Sequence, residues 1–189
     1  MELLIGCGND WEKSVTIPDI PKEWSGDLIT LDFNEECKPH VVHDLNILPY
    51  PFDDNMFDEI HAYEVLEHCG TQGDFRFFFN QFEEFSRILK PGGYFVATCP
   101  NWDSPWAWGD PGHTRIISSE SITFLSQAEY TRQGKSPMTD YRFCYQADFE
   151  LITRQEQEHN WAFILRAIKE GYEPAERGEI LNGYEPESD

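Results

Sequence analysis

Apolar and polar positions along this chain fall into two periods. Leu3, Leu4 and Ile5 form a short apolar run that meets Gly6-Cys7-Gly8, which predicts a buried strand ending in a glycine turn. Residues 28–31 predict a second strand with Asp32 at its tip, and residues 41–45 a third. Residues 57–63 predict a fourth, after a turn-rich passage containing Pro49 and Pro51. Between Asn9 and Asp27, Pro18, Pro21 and the lack of a helical period predict a loop with at most one turn of helix. Residues 33–40 read as a short polar connection. The period then changes: Phe75, Phe78, Phe82, Phe85 and Leu89 recur at three and four, behind Asp74 as N-cap. This predicts a helix over 74–89 whose phenylalanine face packs on the sheet, stopped by Lys90-Pro91-Gly92-Gly93. A fifth strand follows over 94–98. A second helix is expected from Ser118 or Ser119 to Ala128, with Ile122 and Leu125 inward. Two further strands, 149–155 and 161–168, are joined by a polar turn.

Strands alternating with connections, then two strands close in sequence, imply an α/β fold. The expected sheet has about seven strands, is mostly parallel, and carries an antiparallel C-terminal hairpin at one edge. One domain is expected over 1–169. Residues 170–189 are acidic, with Arg177 their single base, and are expected to remain mobile because they cannot bury enough apolar surface. Ligands of open α/β sheets bind beyond the carboxyl ends of the strands. Gly6, Gly8, Asp32, Asp44, Tyr63, Glu64 and Pro100 all fall at such ends. Glycine lets a ligand approach bare backbone, and an acid at the tip of the next strand can accept both hydroxyls of a ribose. The pair points to a nucleoside cofactor.

Composition narrows the partners. The 189 residues are 40% hydrophobic and 15% aromatic, enough for a real core. The net charge of −21 repels a polyanion at long range and argues against nucleic acid as substrate. Arg132, Lys135 and Arg142 come nearest to a basic stripe and read better as a solvated loop. The five cysteines are scattered without CxxC spacing, which suits a reducing cytosol. No apolar run approaches the roughly 20 residues of a membrane span, and no leader pattern opens the chain, so a cytoplasmic protein without membrane contact is expected.

The motifs, in order, resemble those of class I S-adenosylmethionine-dependent methyltransferases of the small type-11-like kind. Leu3 to Gly8 resembles the first motif, Leu31-Asp32 the ribose-binding acid, and Val42-His43-Asp44-Leu45 the adenine-contacting motif. Leu48 to Phe52, Phe57 to Ile60 and Glu64-Val65-Leu66-Glu67-His68 resemble the fourth-strand region. Arg87 to Gly93 resembles the entry to strand five, and Asp110 to Arg115 a segment beyond it. The resemblance covers roughly residues 1–120 and implies a Rossmann-like sheet. It departs at Leu4, where the family usually has an acid, at Asp10, which replaces its third glycine, and in lacking an N-terminal covering helix. It implies S-adenosylmethionine as cofactor, with S-adenosylhomocysteine as product. Gly6, Cys7 and Gly8 would face the methionine end, Asp32 would hold the ribose hydroxyls, and Phe33 would also contact the cofactor. Asp44 and Leu45 would flank the adenine, and Tyr63 and Glu64 would sit beside the sulfonium.

Alternatives weigh less. A nicotinamide site needs a third glycine where Trp11 stands. Cys99-Pro100-Asn101-Trp102 follows the fifth strand, not the fourth as an adenine-N6 DNA methyltransferase requires. No metal is expected: His61, Glu64, Glu67 and His68 do not have HExxH spacing, and His61 lies inside a strand. His68 and His113 are the candidate proton acceptors, since histidine titrates near neutral pH. His113, Arg115 and Trp102 are candidate substrate contacts, with Arg115 either clamping an anion or pairing with Asp110. The expected reaction is methyl transfer to a small-molecule or glycan-like acceptor. The rival readings are a non-catalytic cofactor-binding module and an enzyme completed by a partner chain.

Overall fold

The computed structural model describes residues 1–15, 17, 21–133 and 138–172. Seven strands form one sheet: β1 (Glu2–Ile5), β2 (Leu28–Asp32), β3 (Val41–Val42), β4 (Phe57–Tyr63), β5 (Leu89–Pro100), β6 (Phe149–Glu156) and β7 (Asn160–Ala167). Their order is β3-β2-β1-β4-β5-β7-β6. The first five run parallel. β7 is antiparallel to both β5 and β6, so the expected hairpin closes one edge. Among the described residues no helix is long and apolar enough to cross a membrane. Most of the tail expected to be mobile, residues 173–189, and Lys135 lie outside the described residues.

One face of the sheet is covered by α1 (Phe75–Ile88), capped as expected by Asp74, whose carboxylate accepts from the Phe77 amide at 3.0 Å. The buried stripe is Phe79, Phe82, Phe85 and Ile88, while Phe75 and Phe78 are only half-buried. The phenylalanine pattern thus located the helix and its inner face at Phe82, Phe85 and Leu89, and missed only in the first turns, where Phe79 is buried in place of Phe75 and Phe78. Each fully buried phenylalanine contributes on the order of 1.5–3 kcal/mol. Arg87 reaches back from α1 to the Tyr50 and Phe52 carbonyls and to Asp54, pinning the proline-rich connection.

The other face has no helix over it among the described residues. The connection between β1 and β2 covers it, placing Val15 and Ile17 against Val96, Ala162 and Ile164. This connection also brings a cation into the sheet. Glu2 and Glu59 are register neighbours on β1 and β4, and both are buried. The Lys13 ammonium sits between them, at 2.7 Å from Glu2 and 2.8 Å from Glu59. The Ser25 amide and hydroxyl also donate to Glu2, each at 2.7 Å. His61 Nε2 donates to Glu59 at 2.8 Å, and the Tyr63 hydroxyl donates to His61 Nδ1 at 2.7 Å. Every member of the chain from Tyr63 to Ser25 therefore has a partner, as a buried polar network requires.

Four expectations need correction. The third strand ends at Val42, because the Asp44 carboxylate accepts from the Asn46 amide at 2.9 Å and turns the chain. Lys90 to Gly93 lie inside β5 as a bulge and do not precede it, with a register shift between Phe57 and Glu59 on β4. The helix expected over 118–128 is two, α3 (Ser119–Thr123) and α4 (Gln127–Gln133). The Phe149 amide takes the Leu125 carbonyl at 3.0 Å, and Asp148 accepts from the Gln127 amide at 2.8 Å, starting a second helix. A further helix, α2 (Pro105–Gly109), was not anticipated. Its signal is plain in retrospect: Ser104 accepts from the Trp106 amide and Pro105 occupies the first turn.

Replacing Lys13 by Met leaves two adjacent buried carboxylates and should lower stability by about 3–5 kcal/mol in urea denaturation at neutral pH. Burial alone would raise Glu2 and Glu59, but the hydrogen bonds from Lys13, Ser25 and His61 outweigh it and hold both below 4.5. Burial holds His61 below 6.5 despite Glu59. All three bind protons less readily folded than unfolded. Their stabilisation is complete at neutral pH and falls as pH drops below about 6.5, then more steeply below about 4.5. A stability that is flat from pH 7 to 4 would contradict this network.

Candidate active site

Strand parity decides which residues reach the site. On β4, Glu59, His61 and Tyr63 share one face and Ile60 and Ala62 the other. Tyr63 consequently joins the network behind the sheet, with burial pushing its hydroxyl up to about 12, and does not line the cavity at the strand ends. The assignment of Tyr63 to the cofactor is thus corrected. Glu64 takes φ +54°, an uncommon left-handed conformation for a non-glycine residue, and its amide donates to the Thr98 carbonyl at 3.0 Å. The chain turns sharply there, and Glu64 lines the cavity.

That cavity has a volume of about 490 Å³, within the range of small-molecule sites. Gly6, Asp32, Phe33, Asp44, Leu45, Glu64 and His68 line it, all read from the sequence as site residues. Gly6 has φ +59°, and a Cβ there would lie 2.4 Å from a Val65 methyl carbon. Asp32 ties the two glycine-side turns together. Its Oδ2 accepts from the Gly8 amide and its Oδ1 from the Asn34 amide, each at 2.9 Å. Each oxygen keeps lone-pair capacity for a further donor. Cys7 turns inward, buried against β2, with its amide on the Leu31 carbonyl, so it supports the turn without lining the cavity. Burial, with the Asp32 charge beside it, raises its thiol pKa, which suits a packing residue. His43, Asn46, Val65, Cys69 and Gly112 also line the cavity and were missed. His43, Val65 and Gly112 lie inside the quoted motifs but were given no role, and Asn46 and Cys69 sit one position past them.

The far wall is a pair of loops. The Thr114 amide and hydroxyl donate to the Glu67 carbonyl at 2.9 and 3.1 Å, which fixes residues 110–115 against the turn Leu66–His68. His68 and His113 meet with ring centroids 4.6 Å apart at 78°. His68 Nδ1 lies 3.1 Å from the Gly112 carbonyl. A carbonyl only accepts, so Nδ1 carries the proton and Nε2 is the free acceptor. Glu67 lies behind them, 1% exposed, with neither carboxylate oxygen hydrogen-bonded. Burial, with the Glu64 charge adding, pushes it up to about 8.

Arg115 lies off the strand-end cavity and borders a second one. It is buried, its Nε donates to the Leu66 carbonyl at 2.8 Å, and a second nitrogen bonds Gln81, so it neither meets Asp110 nor faces the cavity. Trp102 is exposed and lines a separate polar hollow with Ser118, Glu120 and Arg154. The structure therefore brings His113 and His68 together but leaves Trp102 apart. Another cavity, about 300 Å³, is walled by Phe75, Phe78, Phe79, Phe124 and Tyr141 at the start of α1. It lacks the strand-end glycine and acid of the first.

The cavity's charge fits a cationic nucleoside. Its described lining holds Asp32, Asp44 and Glu64 and no lysine or arginine. A sulfonium with an α-amino group is attracted there, and a polyphosphate is repelled.

Comparison with known proteins agrees with this geometry. Residues 3–97 match the methyltransferase domain family, and the chain belongs to that family, whose cofactor is S-adenosylmethionine. A probable S-adenosylmethionine-dependent methyltransferase of Mycolicibacterium smegmatis is 27% identical over 135 residues, covering 64% of this chain and 47% of the relative. The chain thus spans about half the length of that protein. Among solved structures, the N-methyltransferase NodS of Bradyrhizobium japonicum in complex with S-adenosylhomocysteine is 18% identical with a TM-score of 0.51, covering 89% of this chain and 78% of NodS. A Haloferax volcanii putative methyltransferase complexed with the activator Trm112 is 14% identical with a TM-score of 0.55, covering 89% and 82%. At these identities the two structures show a shared fold.

Gly6→Ala should cost roughly 1–3 kcal/mol, because the added Cβ meets Val65 and the backbone is left-handed. Urea denaturation should show this loss, and Val65→Ala in the same chain should recover only the steric part.

Proposed function

We propose that this methyltransferase domain acts in the cytosol and transfers the methyl group of S-adenosylmethionine to a small-molecule or glycan-like acceptor. The observation that carries this reading is the strand-end cavity built around Asp32, with three carboxylates and no lysine or arginine in its described lining. The net charge of −21 weighs against a nucleic-acid acceptor.

S-adenosylmethionine, when bound, supplies an activated methyl on a sulfonium leaving group. The residues of this chain bind and orient. Asp32 offers its remaining lone pairs to the ribose hydroxyls while the Gly8 and Asn34 amides hold it in place. Phe33 and Leu45 give apolar surface beside the base, and Asp44 and Glu64 favour the cationic end. Gly6 keeps the turn after β1 open to backbone approach, with Cys7 packed behind and Gly8 anchored. His68 and His113 face the acceptor side, as the pair from which catalytic assistance would come. Positioning of this kind can supply on the order of 7–11 kcal/mol of a transfer barrier.

A second reading has support of its own: Phe33 is 76% exposed and Ile47 59% exposed near the cavity. The Haloferax methyltransferase was solved with an activator chain, and a partner covering this rim would complete the site. That reading predicts tighter cofactor binding in the complex than in the isolated chain.

Calorimetric titration with S-adenosylhomocysteine tests the proposal. Saturable binding at one site per chain is expected, weakened at least tenfold, about 1.4 kcal/mol, in Asp32→Ala. An unchanged affinity in a folded Asp32→Ala variant would move the site elsewhere.

A further inference from the structure

A buried carboxylate without a partner is costly, and the structure contains one beside two imidazoles. Glu67 is 1% exposed, and both of its oxygens lack a hydrogen bond, as does the buried Nδ1 of His113. The neighbouring cation relieves it only through space, because Arg115 directs donors to the Leu66 carbonyl and to Gln81. The Cys99 thiol and the residue's own amide bear on the carboxylate as donors without closing a hydrogen bond to it.

The three side chains nevertheless converge. One donor atom each from Glu67, His68 and His113 lies within 4.8 Å of the others, and His113 Nε2 is 4.0 Å from Glu67 Oε1. Donors on one tetrahedral ion, with legs of about 2.0–2.1 Å, stand about 3.4 Å apart, so modest side-chain rotation closes the set. The tautomer is already suitable. His68 Nδ1–H donates to the Gly112 carbonyl, which leaves Nε2 with its lone pair, the arrangement metal-bound histidines usually have. The loop carrying His113 is fixed to the turn carrying Glu67 and His68 by the Thr114 bonds, so the donors are held before any ion arrives.

We propose that Glu67, His68 and His113 form a divalent metal site in the wall of the cofactor cavity, and that the bound ion takes a hydroxyl of the acceptor as a further ligand. Two nitrogens and one carboxylate oxygen suit Mn²⁺, Fe²⁺, Co²⁺ or Zn²⁺. The sequence expectation of no metal is thereby reversed. It rested on the spacing of His61, Glu64, Glu67 and His68, whereas the second imidazole comes from His113, and His61 belongs to the network behind the sheet.

The acceptor assignment rests on the methyl-transfer reading above. His68 and Gly112 line the same cavity as Gly6 and Asp32, so an ion held by His68 borders the cofactor's space. A bound cation lowers the pKa of a hydroxyl ligand. The hydroxyl proton passes to water at the cavity mouth, and the oxygen forms a bond to the methyl carbon. The methyl–sulfur bond breaks with its electron pair to sulfur, leaving neutral S-adenosylhomocysteine. The two histidines then act as ligands in place of proton acceptors, and the acceptor class narrows to a hydroxyl-bearing molecule.

The test titrates the full chain with Mn²⁺, followed by calorimetry and electron paramagnetic resonance. One saturable site per chain is expected, with nitrogen modulation of the Mn²⁺ signal from two imidazoles. Glu67→Gln, which keeps shape and removes charge, and His113→Asn should each weaken it at least tenfold. Asp32→Ala should leave it intact while losing S-adenosylhomocysteine. Mn²⁺ that binds only diffusely to the acidic surface, without nitrogen modulation, would overturn the site. So would affinity unchanged in both variants. S-adenosylhomocysteine binding without the Mn²⁺ site would sink the metal proposal alone. Loss of S-adenosylhomocysteine binding with the Mn²⁺ site intact would sink the cofactor placement alone.

Discussion

Two carboxylates, Glu2 and Glu59, lie side by side on adjacent buried strands, and the fold depends on bringing Lys13 between them. Like charges opposed across a ladder are destabilising, and in a dry interior the penalty grows. The connection after β1 therefore has to fold back over the sheet, delivering an ammonium where a parallel sheet ordinarily receives the apolar stripe of a helix. That single placement helps hold Val15 and Ile17 of this connection against Val96, Ala162 and Ile164. It also ties β1 to β4, the two strands whose ends carry Gly6 and Glu64.

The site follows from what happens past those ends. At Gly6 and Glu64 the chain turns through left-handed backbone, and Asp32 holds the turns after β1 and β2 by their amides. A cavity opens between them whose described lining is acidic and free of lysine and arginine. Its wall at His68 has a different chemistry, with the His113 imidazole and the unpartnered Glu67 carboxylate packed behind and the loop fixed by the Thr114 bonds to Glu67. Cofactor and acceptor would thus be served by opposite walls of one cleft. Methyl transfer, an in-line displacement, needs that division.

Much of this is legible in the chain because it is local. The run Leu3 to Ile5 with its glycines, the acid after β2, and the three-and-four spacing of phenylalanines each encode an element within a few residues. What escaped is non-local or depends on parity. Tyr63 sits at a strand end like Glu64, but the two-residue period sends its side chain to the opposite face, where His61 takes its hydroxyl. Lys13 gives no sign in a loop that its partners are on β1 and β4. Arg115 reads as a free cation until Gln81 and the Leu66 carbonyl are seen around it. The Glu67–His113 pairing joins residues far apart in sequence through a loop whose register is set by backbone bonds to Glu67. The break between α3 and α4 similarly comes from Asp148 and Phe149, well downstream.

The central claim is that the strand-end cavity organised by Asp32 holds the cofactor. A crystal structure of the chain with S-adenosylhomocysteine tests it most directly. The account predicts the ribose hydroxyls on the Asp32 carboxylate, the base beside Phe33 and Leu45, and the sulfur towards Glu64 and His68. A ligand seated instead in the aromatic cavity between Phe75, Phe79 and Tyr141, with Asp32 untouched, would contradict it.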